Sequence, residues 1–286
     1  MKNRKIDIFT KDGTGCNEDE AWLSPTGNCG FVIDGASGLF KEKITSAGSD
    51  AQWFAQTWCE YLKKNLPSRL TSLEEIIEQG IREITAEFMA HTGAEEIKSK
   101  PSAGIAIFRI EGDTIRTFVL GDCSIMVINH DGGYLHLLDS KLSDFDEINI
   151  KRMVRIAKEK GINVIEARSF VKEDLVSVRN MQNTPNGYWA LAFDVNAVTH
   201  ANKNEINLSK VKSIIAMTDG FSQIVDLLGM MTKEEFAKRI IDGSTLEQFF
   251  DLIRQAQEGD PFCNRFPRFK KSDDATAVSV HFGGEQ

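Results

Sequence analysis

Residues 30–35 read Gly-Phe-Val-Ile-Asp-Gly, an apolar run that ends in an acidic residue followed by glycine. A short apolar run bounded by turn residues is typical of a strand buried on both faces. Two long helices are predicted after it, the first over about residues 42–66 and the second from a capping box of Ser72 with Glu75. Each helix has a single apolar stripe, so each is expected to cover one side of a sheet.

Further strands are predicted on both sides of this run. They cover residues 6–10, 21–24, 103–110, 114–120, 124–129, 213–218 and 275–282. Strands and helices occur in blocks and do not alternate strictly, which favours an α+β fold with antiparallel sheets covered by helices. Two further capping boxes, Thr232 with Glu235 and Ser244 with Glu247, predict short helices before the last strand.

One segment, at about residues 139–186, differs from the rest because it is polar, charged and partly helical. We interpret it as an insertion or flap over the scaffold. No internal repeat or low-complexity linker divides the chain, so residues 1–286 are expected to form a single domain. With 286 residues, of which 41% are hydrophobic, the chain is long enough to bury a large core.

The chain is acidic, with 42 Asp and Glu against 34 Lys and Arg and a formal net charge of −8. An acidic surface repels phosphate backbones and anionic lipid, so neither nucleic acid nor a membrane is expected as a partner. Five cysteines without a C-x-x-C pair disfavour a zinc cluster or a disulfide scaffold. The sequence shows no secretory signal and no long apolar run, and a cytoplasmic location is expected.

Acidic residues recur at the ends of the predicted strands. They are Asp34, Asp122, Asp219, the pair Asp273 and Asp274, and the pair Glu18 and Asp19. A strand end fixes a side chain at the rim of the core, where a cation and water can reach it. Carboxylates gathered there repel one another unless they are protonated or bridged by a metal. Each Asp-Gly pair alone could be a plain turn, so the recurrence is what indicates a site.

The order of these elements resembles that of the metal-dependent protein phosphatases of the type 2C (PPM) family. The matching motifs are Asn17-Glu18-Asp19, Val32-Ile33-Asp34-Gly35, Gly121-Asp122-Cys123-Ser124, Thr218-Asp219-Gly220-Phe221 and Asp273-Asp274-Ala275-Thr276. They span residues 17–276, nearly the whole chain. The resemblance implies a four-layer α-β-β-α sandwich, in which two antiparallel β-sheets are flanked by paired helices.

The resemblance also implies a set of catalytic and metal-binding residues. Asp34 would bridge two metal ions, with the Gly35 carbonyl on one of them. Asp219 and Asp273 would complete the protein ligands of the other ion. A site made only of oxygen ligands suits Mg²⁺ or Mn²⁺.

The remaining acids are expected to have weaker metal contacts. By the same resemblance, Glu18 and Asp19 would act mostly through metal-bound waters. Asp122 would hold a third, weaker ion together with Asp219. Asp274 stands where the family often has Asn, and it completes the implied metal-binding set.

The function implied is that of a metal-dependent phosphomonoesterase that acts on phosphoserine or phosphothreonine in a phosphorylated protein substrate. Two such ions can lower the pKa of a bridging water, which would attack phosphorus without a covalent enzyme intermediate. Two alternatives remain open. One is a low-activity, phosphatase-like binding or regulatory protein, and the other is a hydrolase of a small phosphorylated metabolite.

Two positions depart from the family pattern, and both concern the substrate. The family often has Arg five residues before the Asp of the first motif, where this chain has Thr14. A hydroxyl cannot replace a bidentate guanidinium, so Lys11 is the second candidate for binding the phosphate, alongside Thr14. Many members have His directly after Asp-Gly, where this chain has Ala36.

Two charged clusters outside the motifs are predicted to be solvated surface. The acidic one comprises Asp139, Asp144, Asp146 and Glu147, and the basic one Arg265, Arg268, Lys270 and Lys271. The alternative for the basic cluster, which lies near Asp273, is that it attracts a phosphorylated partner.

Overall fold

The computed structural model describes residues 4–13, 15–36, 43–92 and 100–283. The strands are β1 (Arg4–Lys11), β2 (Asp19–Leu23), β3 (Cys29–Ala36), β4 (Ser102–Glu111), β5 (Thr114–Leu120), β6 (Ser124–Asn129), β7 (Tyr134–Leu137), β8 (Asn202–Asn207), β9 (Val211–Met217) and β10 (Ala275–Phe282). The helices are α1 (Asp50–Asn65), α2 (Leu73–Thr92), α3 (Lys141–Lys160), α4 (Val164–Ala167), α5 (Lys172–Asn180), α6 (Asp219–Asp226), α7 (Lys233–Ile241) and α8 (Leu246–Glu258).

The strands form two antiparallel sheets of five strands each within the described ranges. One has the order β2-β3-β4-β5-β8 and the other β1-β10-β9-β6-β7. The first sheet carries α1 and α2, and the second is covered by α6, α7 and α8. The predicted four-layer α-β-β-α sandwich is therefore confirmed, with three helices instead of a pair on the second sheet.

The layers follow from the period-two alternation of side chains along each strand. In β3, Phe31 and Ile33 face α1 and α2, while Val32 between them points into the space between the sheets. In β9, Ile214 lies between the sheets and Ile215 packs under the other helices. Three apolar layers result, and they hold the strand ends rigidly in place.

The first predicted helix begins later than expected. Helix α1 starts at Asp50, because Ser49 is extended and its Oγ accepts the N–H of Gln52 at 3.0 Å. The Asp50 carboxylate also accepts the Thr45 N–H at 2.8 Å, which holds the preceding residues outside the helix. The predicted start at residue 42 lies outside the described residues.

The capping boxes of Ser72 with Glu75 and of Thr232 with Glu235 are present. The third predicted box, Ser244 with Glu247, is wrong by one position. Thr245 caps α8 and forms the capping box with Gln248. Like Ser244 and Glu247, these two residues have a hydroxyl group and a side-chain oxygen acceptor, but they lie one residue later in the chain.

The segment at residues 139–186 is helical, as predicted, and contains α3, α4 and α5. Its helices pack around Met153 and Ala157, and Cys263 from the C-terminal part of the chain joins this small core. The single-domain organisation of residues 1–286 stays a prediction, as does the interpretation of residues 139–186 as an insertion or flap. We refer to residues 139–186 as the flap. None of the helices within the described residues is both long and apolar enough to cross a membrane.

Candidate metal centre

Three aspartates that are distant in sequence meet at one edge of the sandwich. Asp34, Asp122 and Asp219 each place a carboxylate oxygen within 4.8 Å of the others. Asp34 lies near the end of β3, and Asp122 lies in the turn between β5 and β6. Asp219 is the first residue of α6 and is separated from the end of β9 by one residue. Because β3 and β9 belong to opposite sheets, the site forms where both sheets end.

Strand pairing brings two further aspartates to this edge. Asp19 is directly opposite Asp34 in the β2–β3 ladder. Asp273 lies two residues before β10, which pairs with β9, so it comes close to Asp219. Burial raises the pKa values of both Asp34 and Asp219, and the charge of the nearby Asp273 raises them further. The structure thus brings five of the predicted metal-binding residues to one edge, namely Asp19, Asp34, Asp122, Asp219 and Asp273.

Two glycines make this convergence sterically possible. A Cβ atom on Gly104 would collide with Oδ1 of Asp122, and one on Gly220 would collide with the carbonyl oxygen of Asp274. Gly104 is also the β4 residue directly opposite Asp34. The absence of a side chain at these positions therefore lets the carboxylates approach one another.

Asp19 is part of the buried support of the site. Its side chain is only 4% exposed, and its Oδ2 accepts the Thr218 hydroxyl proton at 3.0 Å. The Thr218 Oγ1 in turn accepts the N–H of Thr276 at 3.1 Å. Burial raises the pKa of Asp19 well above its usual value, despite these hydrogen bonds. This network ties the start of β2 to the residue before Asp219.

Asp274 organises backbone around the site. Its two carboxylate oxygens accept the N–H of Gly13 at 2.7 Å and the N–H of Glu18 at 2.8 Å. Glu18 accepts the hydroxyl proton of Ser49 at the start of α1, and its carbonyl oxygen accepts the N–H of Gly35 at 3.1 Å. The geometry favours a positioning role for Asp274 over direct metal binding.

The protonation of the central carboxylates reflects their crowding. Burial raises the pKa of Asp122 from its usual value of 3.8 to about 7, and the adjacent Asp219 charge adds to this effect. The pKa of Asp34 is raised well above its usual value by burial, with Asp19 and Asp219 as the next contributors. Because a divalent cation would neutralise these charges, this set of oxygen donors fits Mg²⁺, Mn²⁺ or a similar hard ion.

The comparisons with known proteins agree with this geometry. The family model of protein phosphatase 2C matches residues 7–257. The chain belongs to the protein phosphatase 2C family. Membership confirms the prediction of a metal-dependent phosphatase that acts on protein. A comparison with curated protein sequences found no match.

Several solved structures share the fold of this phosphatase. The serine/threonine phosphatase PstP/Ppp of Mycobacterium tuberculosis has a TM-score of 0.59 at 11% identity, covering 98% of this chain and 99% of that chain. Stp1 from Staphylococcus aureus has a TM-score of 0.56 at 14% identity, covering 99% of this chain and 96% of that chain. A structure of the PstP catalytic domain with two manganese ions gives 0.56 at 14% identity, covering 98% and 99% of the two chains.

The metal-free phosphatase is expected to be less stable at about pH 8 than at about pH 5.5. Raised pKa values of Asp34, Asp19 and Asp122 mean that the folded chain holds protons which the unfolded chain releases. For Asp122, this contribution to stability is full below the unfolded value of 3.8 and is lost as the pH rises through about 7. Thermal unfolding in chelator and in Mn²⁺ would measure the difference.

Mn²⁺ should raise the Tm more at the higher pH, because the ionised cluster repels itself most strongly there. In Asp122→Asn, the Tm of the metal-free protein should depend less on pH. Equal stabilisation by Mn²⁺ at both pH values would contradict this interpretation.

Two cationic side chains flank the acidic cluster. Lys270 Nζ donates to Asp273 Oδ1 at 2.7 Å. Burial lowers the pKa of Lys270, but the charge and hydrogen bond of Asp273, together with the charges of Asp34 and Asp219, outweigh it, so the net shift is upward. Arg179, on α5 of the flap, donates from Nη2 to the carbonyl oxygen of Ala36 at 2.8 Å. No motif in the sequence pointed to Arg179, because only the docking of the flap brings it here.

The predicted substrate-binding residues are less well placed. The side chain of Lys11 is 59% exposed, and its ammonium group lies 3.8 Å from the carboxylate of its neighbour Asp12. Thr14, the other predicted residue, lies outside the described residues. Both roles stay predictions, and Arg179 and Lys270 are the cations that the structure puts beside the acids.

The two charged clusters predicted as solvated surface each contain an exception. Burial, together with the charges of Asp122 and Asp219, raises the pKa of Asp146 to about 7. Asp146 is half-buried and lines the same cleft as Asp122 and Asp219. Arg268 is 5% exposed and donates to Asp260 Oδ2 at 2.9 Å, so it holds the C-terminal loop together. The local sequence predicted neither the proximity of Asp146 to Asp122 and Asp219 nor the ion pair between Arg268 and Asp260.

Proposed function

We propose that this protein is a Mg²⁺- or Mn²⁺-dependent phosphatase that hydrolyses phosphoserine and phosphothreonine in proteins. The observation that carries the proposal is the approach of the Asp34, Asp122 and Asp219 carboxylate oxygens to within 4.8 Å of one another. Family membership supports a divalent metal, and a structural relative contains two manganese ions.

In this proposal, Asp34, the Gly35 carbonyl, Asp219 and Asp273 would hold two divalent ions. Asp122 would contribute, with Asp219, to holding a weaker third ion. Bound divalent ions would lower the pKa of water to near neutrality and offset charge on the phosphoryl oxygens. The protein itself supplies the rigid strand ends that hold the carboxylates at fixed separations.

Arg179 is proposed to bind the phosphate in place of the arginine that is absent from position 14. Its guanidinium lies at Ala36, two residues after Asp34, and its charge lowers the pKa of Asp122 against the larger effect of burial. A guanidinium has five N–H donors in a planar fork, so the bond to the Ala36 carbonyl leaves others to meet phosphate oxygens. Lys270 would act as a second, point-like cation on the Asp273 side.

Cysteine-based phosphate transfer is disfavoured by the environment of Cys123, the cysteine next to Asp122. Its side chain is fully buried. Burial raises the pKa of the thiol well above its usual value, and the charges of Asp34 and Asp122 raise it further. Since the thiolate is the nucleophilic form, Cys123 is held in the unreactive state.

Phosphate release from a phosphothreonine peptide and from p-nitrophenyl phosphate tests the proposal. We expect turnover in Mn²⁺ or Mg²⁺ that chelator abolishes and that added metal restores. Absence of metal-dependent release from both substrates would overturn the enzyme proposal in favour of a phosphate-binding protein. Small phosphorylated metabolites that are hydrolysed orders of magnitude faster than phosphopeptides would favour the metabolite alternative.

The cytoplasmic location remains a proposal that rests on the cysteine pattern of the sequence. All five cysteines are free thiols, and four of them are buried. Cell fractionation with an antibody against the protein would test it.

A further inference from the structure

A cleft of about 660 Å³ opens from the metal centre between the flap and the rest of the protein. Asp219, at the first residue of α6, and Leu227, just past its last residue, both line it. Eight residues of helix span about 12 Å, so the cleft extends well beyond the carboxylates. On the flap side it is lined by Asp146, Ile150 and Val154, which share one face of α3.

The polarity of the buried wall of this cleft is fixed by a chain of side-chain amides. Gln223 Nε2 donates to the Gly220 carbonyl oxygen, which can only accept. Gln223 Oε1 must then accept from Gln257 Nε2, at 3.0 Å. Gln257 Oε1 is left as an acceptor with no hydrogen-bond partner among the described residues, although Gln257 is only 4% exposed.

A second buried polar group lines the same cleft. Ser124 is 3% exposed, and its hydroxyl likewise has no partner in the described part of the chain. A buried polar group without a partner is destabilising. Gln257 Oε1 can only accept and the Ser124 hydroxyl can accept as well as donate, so a ligand with hydrogen-bond donors would satisfy both.

The charged residues that line the cleft also favour a ligand with hydrogen-bond donors. Asp226 is paired with Lys233 at 3.2 Å and Glu147 with Lys151 at 2.5 Å, which offsets two of the acids along the cleft. Asp146 forms no ion pair with any residue the structure describes. The Asp146 carboxylate and Gln257 Oε1 can both accept hydrogen bonds from a ligand. Ile150, Val154 and Phe269 line the same cleft and can make apolar contacts with it. An arginine or lysine side chain fits both features, because its aliphatic stem can pack against the apolar residues and its charged group can donate to the acceptors.

We infer that this cleft binds the residues next to the phosphorylated side chain of a protein substrate and selects an arginine or lysine within about three residues of it. The inference rests on the proposed function, because the phosphate must sit at the metal centre for the flanking chain to enter the cleft. The basic side chain lies along α3 and α6, with its charge at Asp146 and its N–H groups directed to Gln257 Oε1.

A peptide scan tests this inference. Phosphothreonine peptides would carry arginine, or its neutral isostere citrulline, at each of the three positions on either side of the phosphothreonine. We expect kcat/KM in Mn²⁺ to favour arginine by about tenfold at one position. The same preference should appear in the fluorescence anisotropy of a non-hydrolysable phosphonate peptide, which reports binding without turnover.

Variants on α3 separate the cleft from general charge effects. Asp146→Asn should reduce the arginine-to-citrulline ratio to near one in both assays. Asp144→Asn removes the same charge from the same helix at an exposed position outside the cleft lining, and it should keep the ratio. Because each result is a ratio measured on one protein, a change in overall activity does not affect it.

Equal use of arginine and citrulline at every position, with p-nitrophenyl phosphate still hydrolysed, would overturn the inference and leave the proposed function standing. Equal loss of preference in Asp144→Asn and Asp146→Asn would also overturn it. Absence of hydrolysis for every substrate would instead remove the proposed function and the inference with it.

Discussion

Replacement of Asp34 by Asn is expected to lower phosphate release in Mn²⁺ by about a thousandfold while the protein stays folded. Asparagine keeps the size of the side chain but cannot balance the charge of two divalent ions. The same change removes one of the carboxylates that repel one another in the metal-free site. The Tm of the metal-free variant at about pH 8 should therefore exceed that of the wild type.

Opposite effects on activity and stability distinguish this outcome from misfolding. Asp12→Asn is a matched control, because Asp12 is an exposed aspartate at the end of β1 whose side-chain contact is with Lys11. It should retain activity within about twofold. Asp34→Asn with more than a tenth of the wild-type rate in Mn²⁺ would show that Asp34 does not hold the essential metal.

Replacement of Arg179 by Met is expected to raise the KM for a phosphopeptide by about 10–100-fold, with a smaller effect on kcat. The variant loses the guanidinium but keeps an apolar stem of similar length. Inhibition by inorganic phosphate should weaken in parallel, which reports phosphate binding independently of the peptide. Arg179→Lys should recover part of the affinity, since a point charge remains but the planar fork does not.

Arg152→Met is the control for a general disturbance of the flap. Arg152 on α3 pairs with Asp174 on α5, so its loss disturbs flap packing without removing the cation at Ala36. We expect Arg152→Met to leave phosphate inhibition close to that of the wild type. Unchanged KM and phosphate inhibition in Arg179→Met would assign phosphate binding to another residue.

The acidic residues of the candidate site were predictable because their signals are local. Asp34 and Asp219 each adjoin an apolar strand, and antiparallel pairing in a sandwich brings such strand ends to a common edge. The order of the motifs along the chain supplied the family and hence the arrangement of the layers. Eight of the ten strands within the described residues followed from short apolar runs bounded by turn residues, whereas β7 and β8 were not predicted.

Residues whose position depends on tertiary docking could not be predicted in this way. Arg179 and Asp146 belong to the flap, and their sequence neighbourhood looks like any exposed helical surface. Arg268 is buried because Asp260, eight residues earlier, accepts from it, a pairing that no periodicity reveals. The role of Asp274 also depends on distant partners, since the backbone N–H groups that it binds come from Gly13 and Glu18.

The number of Mn²⁺ ions that the protein retains is the most direct test of the acidic cluster as its metal centre. Equilibrium dialysis followed by elemental analysis would give this number for the wild type, Asp34→Asn, Asp219→Asn and Asp12→Asn. We expect two tightly bound Mn²⁺ per chain in the wild type and in Asp12→Asn, and fewer in the other two variants. A wild-type protein that retains no Mn²⁺, or an Asp34→Asn variant that retains as much as the wild type, would contradict the assignment.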